Sequence, residues 1–429
     1  MWIGKVKTVR SNSRMGTGKW FAVLALFAIL CALTMLTPMR VGHAAGPSVV
    51  AFSAATYTVQ EDMTFRTITL LRTGDVSGPC TVDYITAGIT ASQRTDYTFG
   101  QGTIRFGAGE SIKSFDVLIS EDIKLEGTET FTITLSNGTG QALLGSPSTA
   151  TVSITDDAIE TGTNPIDFNN VFVGQHYHDF LARHGDSAGQ LFWEGQISSC
   201  GSNQACIDDR RTNVSAAFFL SIEFQQTGYF VIRAHKAAFG NAKSNPRYLP
   251  FLKDQRRVGE GVVVGNTGWE LLLAANRDAF LSEFVVRPEF ISNFPQGQNA
   301  FTYVDTMFAN EGVIPTVSER NAAVTAYGTG NTAGRAAALK SVIESDSVFN
   351  IQYNPAFVLM QYFGYLRRDA DDPPDNNFIG YDFWLNKMNQ VSVAGENLRD
   401  DDVALNRVKR ADMVKSFIVS GEYRGRFGL

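Results

Sequence analysis

Glu121-Asp122-Ile-Lys-Leu-Glu126-Gly-Thr-Glu129-Thr-Phe-Thr-Ile-Thr-Leu135 decides the reading of this chain: four carboxylates in nine residues run straight into a strict polar–apolar alternation. A two-residue period is the pattern of a half-buried β-strand. The same alternation recurs in Phe65-Arg-Thr-Ile-Thr-Leu-Leu-Arg72, Thr81-Val-Asp-Tyr-Ile-Thr86, Ser114-Phe-Asp-Val-Leu-Ile119 and Thr149-Ala-Thr-Val-Ser-Ile154, with Gly, Asp, Ser and Asn between the runs. Residues 46–158 therefore read as β-structure closed by acidic turns.

Roughly seven such runs in about 110 residues match the size and spacing of an immunoglobulin-like sandwich. The acids fall at strand ends: Glu61, Asp96, Glu121, Asp122, Glu126, Glu129, Asp156 and Asp157. Alternate turns of a sandwich gather at one pole, so these carboxylates are expected to converge. Without a counter-ion each like-charge pair at about 5 Å repels by roughly 3 kcal/mol at an effective dielectric near 20. A hard cation removes that cost, and an all-carboxylate set without His or Cys suits calcium better than zinc or copper.

At 429 residues the chain is too long for one ordinary core. Hydrophobic residues make up 44 % and charged residues 19 %, which is globular usage. The formal charge of −6 becomes −12 without the basic leader described next, which excludes a duplex nucleic-acid partner and suits cations. Lys5, Lys7, Arg10, Arg14 and Lys19 precede an apolar run over 20–36 and then His43-Ala-Ala-Gly46. This is the plan of a secretory signal over 1–45, with an uncleaved membrane anchor as the alternative. No later segment is apolar enough to suggest a multispan membrane domain. Cys200 and Cys206 enclose five residues, a loop able to close as a local disulfide in an oxidising compartment, while Cys80 reads as a small buried hydrophobe.

Several motifs in family order, Tyr57-Thr-Val-Gln-Glu61, Thr95-Asp-Tyr-Thr98, Gly102-Thr-Ile-Arg-Phe106, Glu126-Gly-Thr-Glu-Thr-Phe-Thr-Ile-Thr-Leu-Ser-Asn137 and Ile154-Thr-Asp-Asp157, resemble the Calx-beta domain. That resemblance implies a calcium-binding sandwich over 46–158, with calcium ligands at Glu61, Asp96, Glu121, Asp122, Glu126, Glu129, Asp156 and Asp157. Ser120, Lys124 and Gly127-Thr128 stand where the exchanger form carries denser acid, and the last acidic group is a pair rather than a triplet. Fewer ligands imply fewer or weaker ions.

After a linker over 159–170 the period turns helical, and 171–429 reads as an all-α repeat domain. Helices are expected at 187–197, 209–224, 228–239, 269–290, 300–310, 318–326, 332–344, 355–368, 378–389 and 411–423. Phe172-Val173…Tyr177…Leu181-Ala-Arg183…Gly189…Phe192-Trp193 returns as Phe357-Val358…Tyr362…Leu366-Arg-Arg368…Gly380…Phe383-Trp384, and Phe218-Phe-Leu-Ser-Ile-Glu-Phe224 returns as Phe417-Ile-Val-Ser-Gly-Glu-Tyr423. These units resemble the bacterial extracellular family known as domain of unknown function 4214. That resemblance implies a helical module at a surface, with no established chemistry.

Gly185-Asp-Ser187-Ala-Gly189 matches the nucleophile elbow of serine hydrolases, which requires a strand before the serine. A helix is expected there instead, with Asp186 capping the next one. His176 and His178 point about 200° apart on a helix and form no shared ligand face. Asp369-Ala-Asp-Asp-Pro-Pro-Asp375 lacks the glycine and final glutamate of an EF-hand. The expectation is a secreted or cell-envelope, calcium-binding, non-enzymatic protein acting in adhesion, cell communication or surface interaction, with a surface protein, matrix or polysaccharide partner. A secreted hydrolase using Ser187 and a calcium-free structural spacer are the alternatives.

Overall fold

The computed structural model describes residues 46–158 and 160–428. The expected leader over 1–45 lies outside the described residues. Nine strands form the N-terminal part: β1 (Ser48–Phe52), β2 (Thr56–Gln60), β3 (Phe65–Thr73), β4 (Cys80–Gly88), β5 (Gln101–Phe106), β6 (Ile112–Leu118), β7 (Glu129–Thr139), β8 (Ala142–Leu144) and β9 (Thr149–Thr155). They make two sheets, β6-β3-β1-β8 and β2-β9-β7-β4-β5. The alternation seen in sequence fixes which face is buried: Phe131, Ile133 and Leu135 of β7 point inward beside Val152 and Ile154 of β9, onto Val50, Ile68 and Leu70 of the other sheet.

The remainder is helical. Its longer helices are Asn169–Leu181, Ser187–Ser198, Gln204–Leu220, Gly228–Phe239, Tyr248–Gly259, Trp269–Phe284, Ala300–Asn310, Val317–Tyr327, Thr332–Ile343, Asp346–Met360, Ile379–Gln390 and Asp401–Ala411. Among the described residues no helix is long and apolar enough to cross a membrane. Three expected helices are broken. Residues 209–224 divide at Ser221, whose hydroxyl caps the short helix Ile222–Gln226. Residues 269–290 divide ahead of Pro288, which opens the short helix Pro288–Asn293. Residues 411–423 fall into the short helices Met413–Ile418 and Gly421–Arg424. Cys200 and Cys206 are joined by a disulfide with Cα atoms 5.6 Å apart, and Cys80 is buried and free.

Matching positions of the two similar stretches make matching contacts. Ala182 and Arg367 end their helices in the left-handed region, and the arginine that follows each pairs with a glutamate of the second motif: Arg183 with Glu223 at 2.6 Å, Arg368 with Glu422 at 2.7 Å. Each guanidinium also lies over a tyrosine, Tyr177 or Tyr362. At Gly189 and Gly380 that tyrosine's hydroxyl occupies the space a Cβ would need, which is why both positions are glycine.

The expected linker is not a free tether between two independent bodies. Asn164 is 4 % exposed; its Nδ2 donates to the carbonyls of Arg424 and Gly428, both at 3.1 Å, and its Oδ1 accepts from Ile166 N. Arg424 pairs with Asp167 at 2.7 Å, and Arg211 donates to the carbonyls of Ile166 and Asp167. Residues 164–167 are thus stitched to the C-terminal turn. Asn164→Ala leaves buried carbonyls and an N–H without partners, and is expected to lower unfolding stability by about 1–3 kcal/mol in urea titration. A change below about 0.5 kcal/mol would show the connector to be dispensable.

Further contacts tie the sandwich to the helices. Arg94 pairs with Glu422 at 2.7 Å, Arg105 with Glu283 at 3.1 Å and Asp116 with His184 at 3.0 Å, whose ring stacks on Phe65. Phe99, which follows β4 in the chain, buries itself in the helical core. One buried ion network anchors this junction: Asp179 takes Arg367 Nε and Arg426 Nη1 at 3.1 Å each, and Arg367 Nη1 reaches Ser120 Oγ at 3.1 Å. Burial alone would raise the Asp179 carboxyl, but Arg426 and Arg367 hold it below the usual carboxylate range.

Candidate metal centre

Strand register brings the acids together. β2 and β9 pair in parallel with Gln60 opposite Thr155, so Glu61 and Asp156, the next residue of each strand, leave the sheet side by side. β7 runs antiparallel to β9 with Glu129 opposite Ile154, which puts the start of β7 at the same pole. Tyr97 bridges to Ile119, and Ser120 N donates to the Asp96 carbonyl at 2.9 Å, so Asp96 joins the 120–129 turn. Gly127 has φ +74°, and its N–H donates to Asp156 Oδ2 at 2.9 Å. A side chain there would strain the turn that carries Glu126 and Glu129.

Two clusters result. Glu61, Asp156 and Glu160 each offer an oxygen within 4.8 Å of the others, and so do Asp96, Asp122 and Glu126. Glu129 lies against the second cluster, where Asp96, Glu126 and Asp122 act on it. Glu121 sits toward the first, under the influence of Asp157, Asp62 and Glu160. Of the expected residues, Glu61, Asp96, Asp122, Glu126 and Asp156 fall in these two clusters, while Glu121, Glu129 and Asp157 enter only as electrostatic neighbours. Sequence reasoning missed Glu160, which it assigned to the linker, although the residue stands only four positions after Asp156.

Burial and mutual repulsion leave the pole short of positive charge. Burial first, then Asp122 and Glu160, push the Glu61 carboxyl up to about 9. Glu121 is pushed to about 8 by burial and Asp157, and Glu129 to about 8 by burial and Asp96. Asp122, Glu126 and Glu160 are raised as well, burial being the largest cause for each. Buried oxygens Glu61 Oε1, Asp96 Oδ1 and Glu121 Oε2 have no hydrogen-bond partner. Among the described residues the cation at the pole is Lys124, whose Nζ stands 3.2 Å from Asp122 Oδ2 and 3.2 Å from the Arg426 carbonyl. Orphaned oxygens, oxygen-only donors and two close carboxylate triplets fit a hard divalent cation that takes 6–8 oxygens. Glu61, Asp156 and Glu160 would hold one ion, and Asp96, Asp122 and Glu126 another.

Other motifs resolve into structure. Asp186 caps the helix Ser187–Ser198 through Gly189 N, a helix rather than a strand precedes Ser187, and no histidine hydrogen-bonds its hydroxyl among the described residues. His176 is buried between the Phe172 carbonyl and Ser215 Oγ, both at 2.7 Å. In the 369–375 loop Asp371 pairs with Arg247, Asp375 pairs with Arg368, and Asp369 accepts from Tyr248 N, so these acids serve arginines and a backbone amide.

Residues 43–158 match the family model described as the Calx-beta domain. The chain is 35 % identical over 128 residues to sodium/calcium exchanger 1 of Mus musculus, covering 26 % of this chain and 13 % of that one. It is 34 % identical over 97 residues to adhesion G-protein coupled receptor V1 of Danio rerio, covering 23 % and 2 %. Among solved structures, the apo-form Calx CBD1 domain shares 32 % identity over 26 % of this chain and 98 % of that one, with a TM-score of 0.26. The calcium binding domain CBD12 of CALX1.1 shares 33 % identity over 25 % and 44 %, with a TM-score of 0.25. The chain therefore spans only a small part of the exchangers and the receptor. The family match and the sequence relatives together support a Calx-beta domain at residues 43–158.

Proposed function

We propose that this protein binds calcium at the acidic pole and acts at the cell surface or outside the cell as a calcium-responsive interaction protein, with no catalytic activity of its own. The observation that carries the calcium reading is the pair of carboxylate triplets with unpartnered, buried oxygens. The names of its relatives, sodium/calcium exchangers and an adhesion receptor, agree with that reading. The basic and apolar leader supports export, and the resemblance of the helical units to the bacterial family supports a scaffold role for residues 171–429. Ser187 at a helix start, with no histidine on its hydroxyl among the described residues, speaks against the hydrolase alternative.

Calcium would act through a loop that already touches the helices. Ile123 N donates to the Phe427 carbonyl at 3.2 Å, Lys124 Nζ reaches Arg426, and Arg367 reaches Ser120. Fixing Asp122 and Glu126 with an ion thus orders the segment that docks the sandwich on its neighbour. The test is calorimetric titration of the chelator-treated full chain beside Asp122→Ala/Glu126→Ala. Saturable binding in the wild type, weakened at least tenfold in the variant, is the expected result. Absence of heat, with an unchanged melting temperature, would reduce the sandwich to a spacer.

A further inference from the structure

Next to the acidic pole lies a recess of a different kind, a cavity of about 490 Å³ between the sandwich and the helix Asn169–Leu181. Its apolar walls are Phe65, Ile119 and Ile123 on one side and Phe168 and Val171 on the other. Asp62, Glu121 and Asp157 edge it, and among the described residues lining it there is no lysine or arginine. The size is that of small-molecule sites, and the apolar side chains share the lining with polar ones, among them Asn170, Gln175, His178, His184 and Gln190.

His178 marks the helical side. It lines the cavity, is only 3 % exposed, and its Nδ1 has no hydrogen-bond partner. An unpaired buried ring nitrogen is costly unless something fills its place. Burial first, then Arg367, holds the ring neutral, down to about 3, so it offers a hydrogen bond without adding positive charge.

The lining discriminates between occupants. An anion meets acidic side chains at the edge, and a neutral apolar molecule leaves the orphaned Glu121 Oε2 unanswered. A bare metal ion gains nothing from the phenylalanine and isoleucine walls. We propose that this recess binds a small organic cation, a primary ammonium on a compact apolar body, with the ammonium at Asp62 and Glu121 and the body between Ile119 and Val171 beside His178. The proposal is independent of the calcium reading except at Glu121, which belongs to both sites.

The test uses the chelator-treated full chain and three probes that share one body and differ in charge: phenethylammonium, 2-phenylethanol and phenylacetate. Calorimetry is expected to give one saturable site for phenethylammonium, at least tenfold tighter than for the alcohol, and no binding of phenylacetate. Gly174→Met fills the recess from a helical position where a Cβ meets only Gln190 side-chain atoms, at 3.5 and 3.8 Å, and is expected to weaken the ammonium at least tenfold. Ser187→Trp, at an exposed position on the same lining, does the same should the first variant fail to fold. Asp305→Asn, at the exposed pair with Arg320, is expected to leave the affinity within twofold. No saturable binding, equal binding of the alcohol, or unchanged affinity in the recess-filling variants would overturn the proposal. Loss of calcium binding with the ammonium site intact would overturn only the calcium reading.

Discussion

Titrated from about pH 6.5 to pH 9 without calcium, the protein is expected to lose stability steadily, and saturating calcium is expected to cancel most of that loss. Glu61 titrates near 9 in the folded chain, and Glu121 and Glu129 near 8, against an ordinary value of 4.5. Between these limits the unfolded chain has released protons that the folded chain still binds. Stability therefore falls as pH rises through the window, the favourable contribution being fully present only below about 4.5. Calcium replaces those protons. Its stabilisation is predicted to grow with pH, reaching about 2.7 kcal/mol for each occupied site when free calcium is a hundred times its dissociation constant. Buried His176 and His178 bound the other side: held down to about 4 and 3, they cost stability as pH falls below 6.5. Melting curves at several pH values, with calcium and with chelator, check both slopes. A calcium-free melting temperature that rises from about pH 6.5 to pH 8 would contradict the pole as described.

Asp179→Asn is expected to cost about 3–5 kcal/mol, the scale for removing one member of a buried ion network. Asp179 and Arg367 side chains are 1 % and 0 % exposed and that of Arg426 is 5 %, so two guanidinium groups would remain buried with no carboxylate between them. Gln175, which donates to Asp179 Oδ1 at 2.8 Å, cannot take its place. An exposed pair offers the contrast: Asp305→Asn, at a half-exposed carboxylate and breaking its contact with Arg320, is expected to leave stability close to that of the wild type. Denaturant unfolding of the two variants separates them. Equal, small losses would mean that the Asp179 network does not hold the junction.

The β-part of the fold was legible because alternation such as Thr130-Phe-Thr-Ile-Thr-Leu135 both names a strand and says which face is buried. Convergence of the acids was legible for a related reason: Glu61, Glu129 and Asp156 stand at the ends of neighbouring strands, and register does the rest. Glu160 was not, since no periodicity marks a residue in a connector. The helix Tyr248–Gly259 is absent from the expected helices, because Pro250 stands in its first turn and the run Asp254-Gln-Arg-Arg257 interrupts the apolar spacing. In the fold Asp254 is buried against His235 and Arg287, and Gln255 donates to the Phe180 carbonyl. The helix Asp401–Ala411 hid behind Asp400-Asp-Asp402, of which Asp400 is the cap. Neither the anchoring of Asn164 by the last residues of the chain nor the recess beside His178 has any local signature, because both are made by segments far apart in sequence.

The central claim is that calcium occupies two places at the acidic pole. X-ray diffraction from crystals of the full chain grown with calcium, recorded at a wavelength where calcium scatters anomalously, tests it most directly. Anomalous peaks are predicted between Glu61, Asp156 and Glu160 and between Asp96, Asp122 and Glu126. A map without a peak at either place, with Lys124 alone against Asp122, would contradict it.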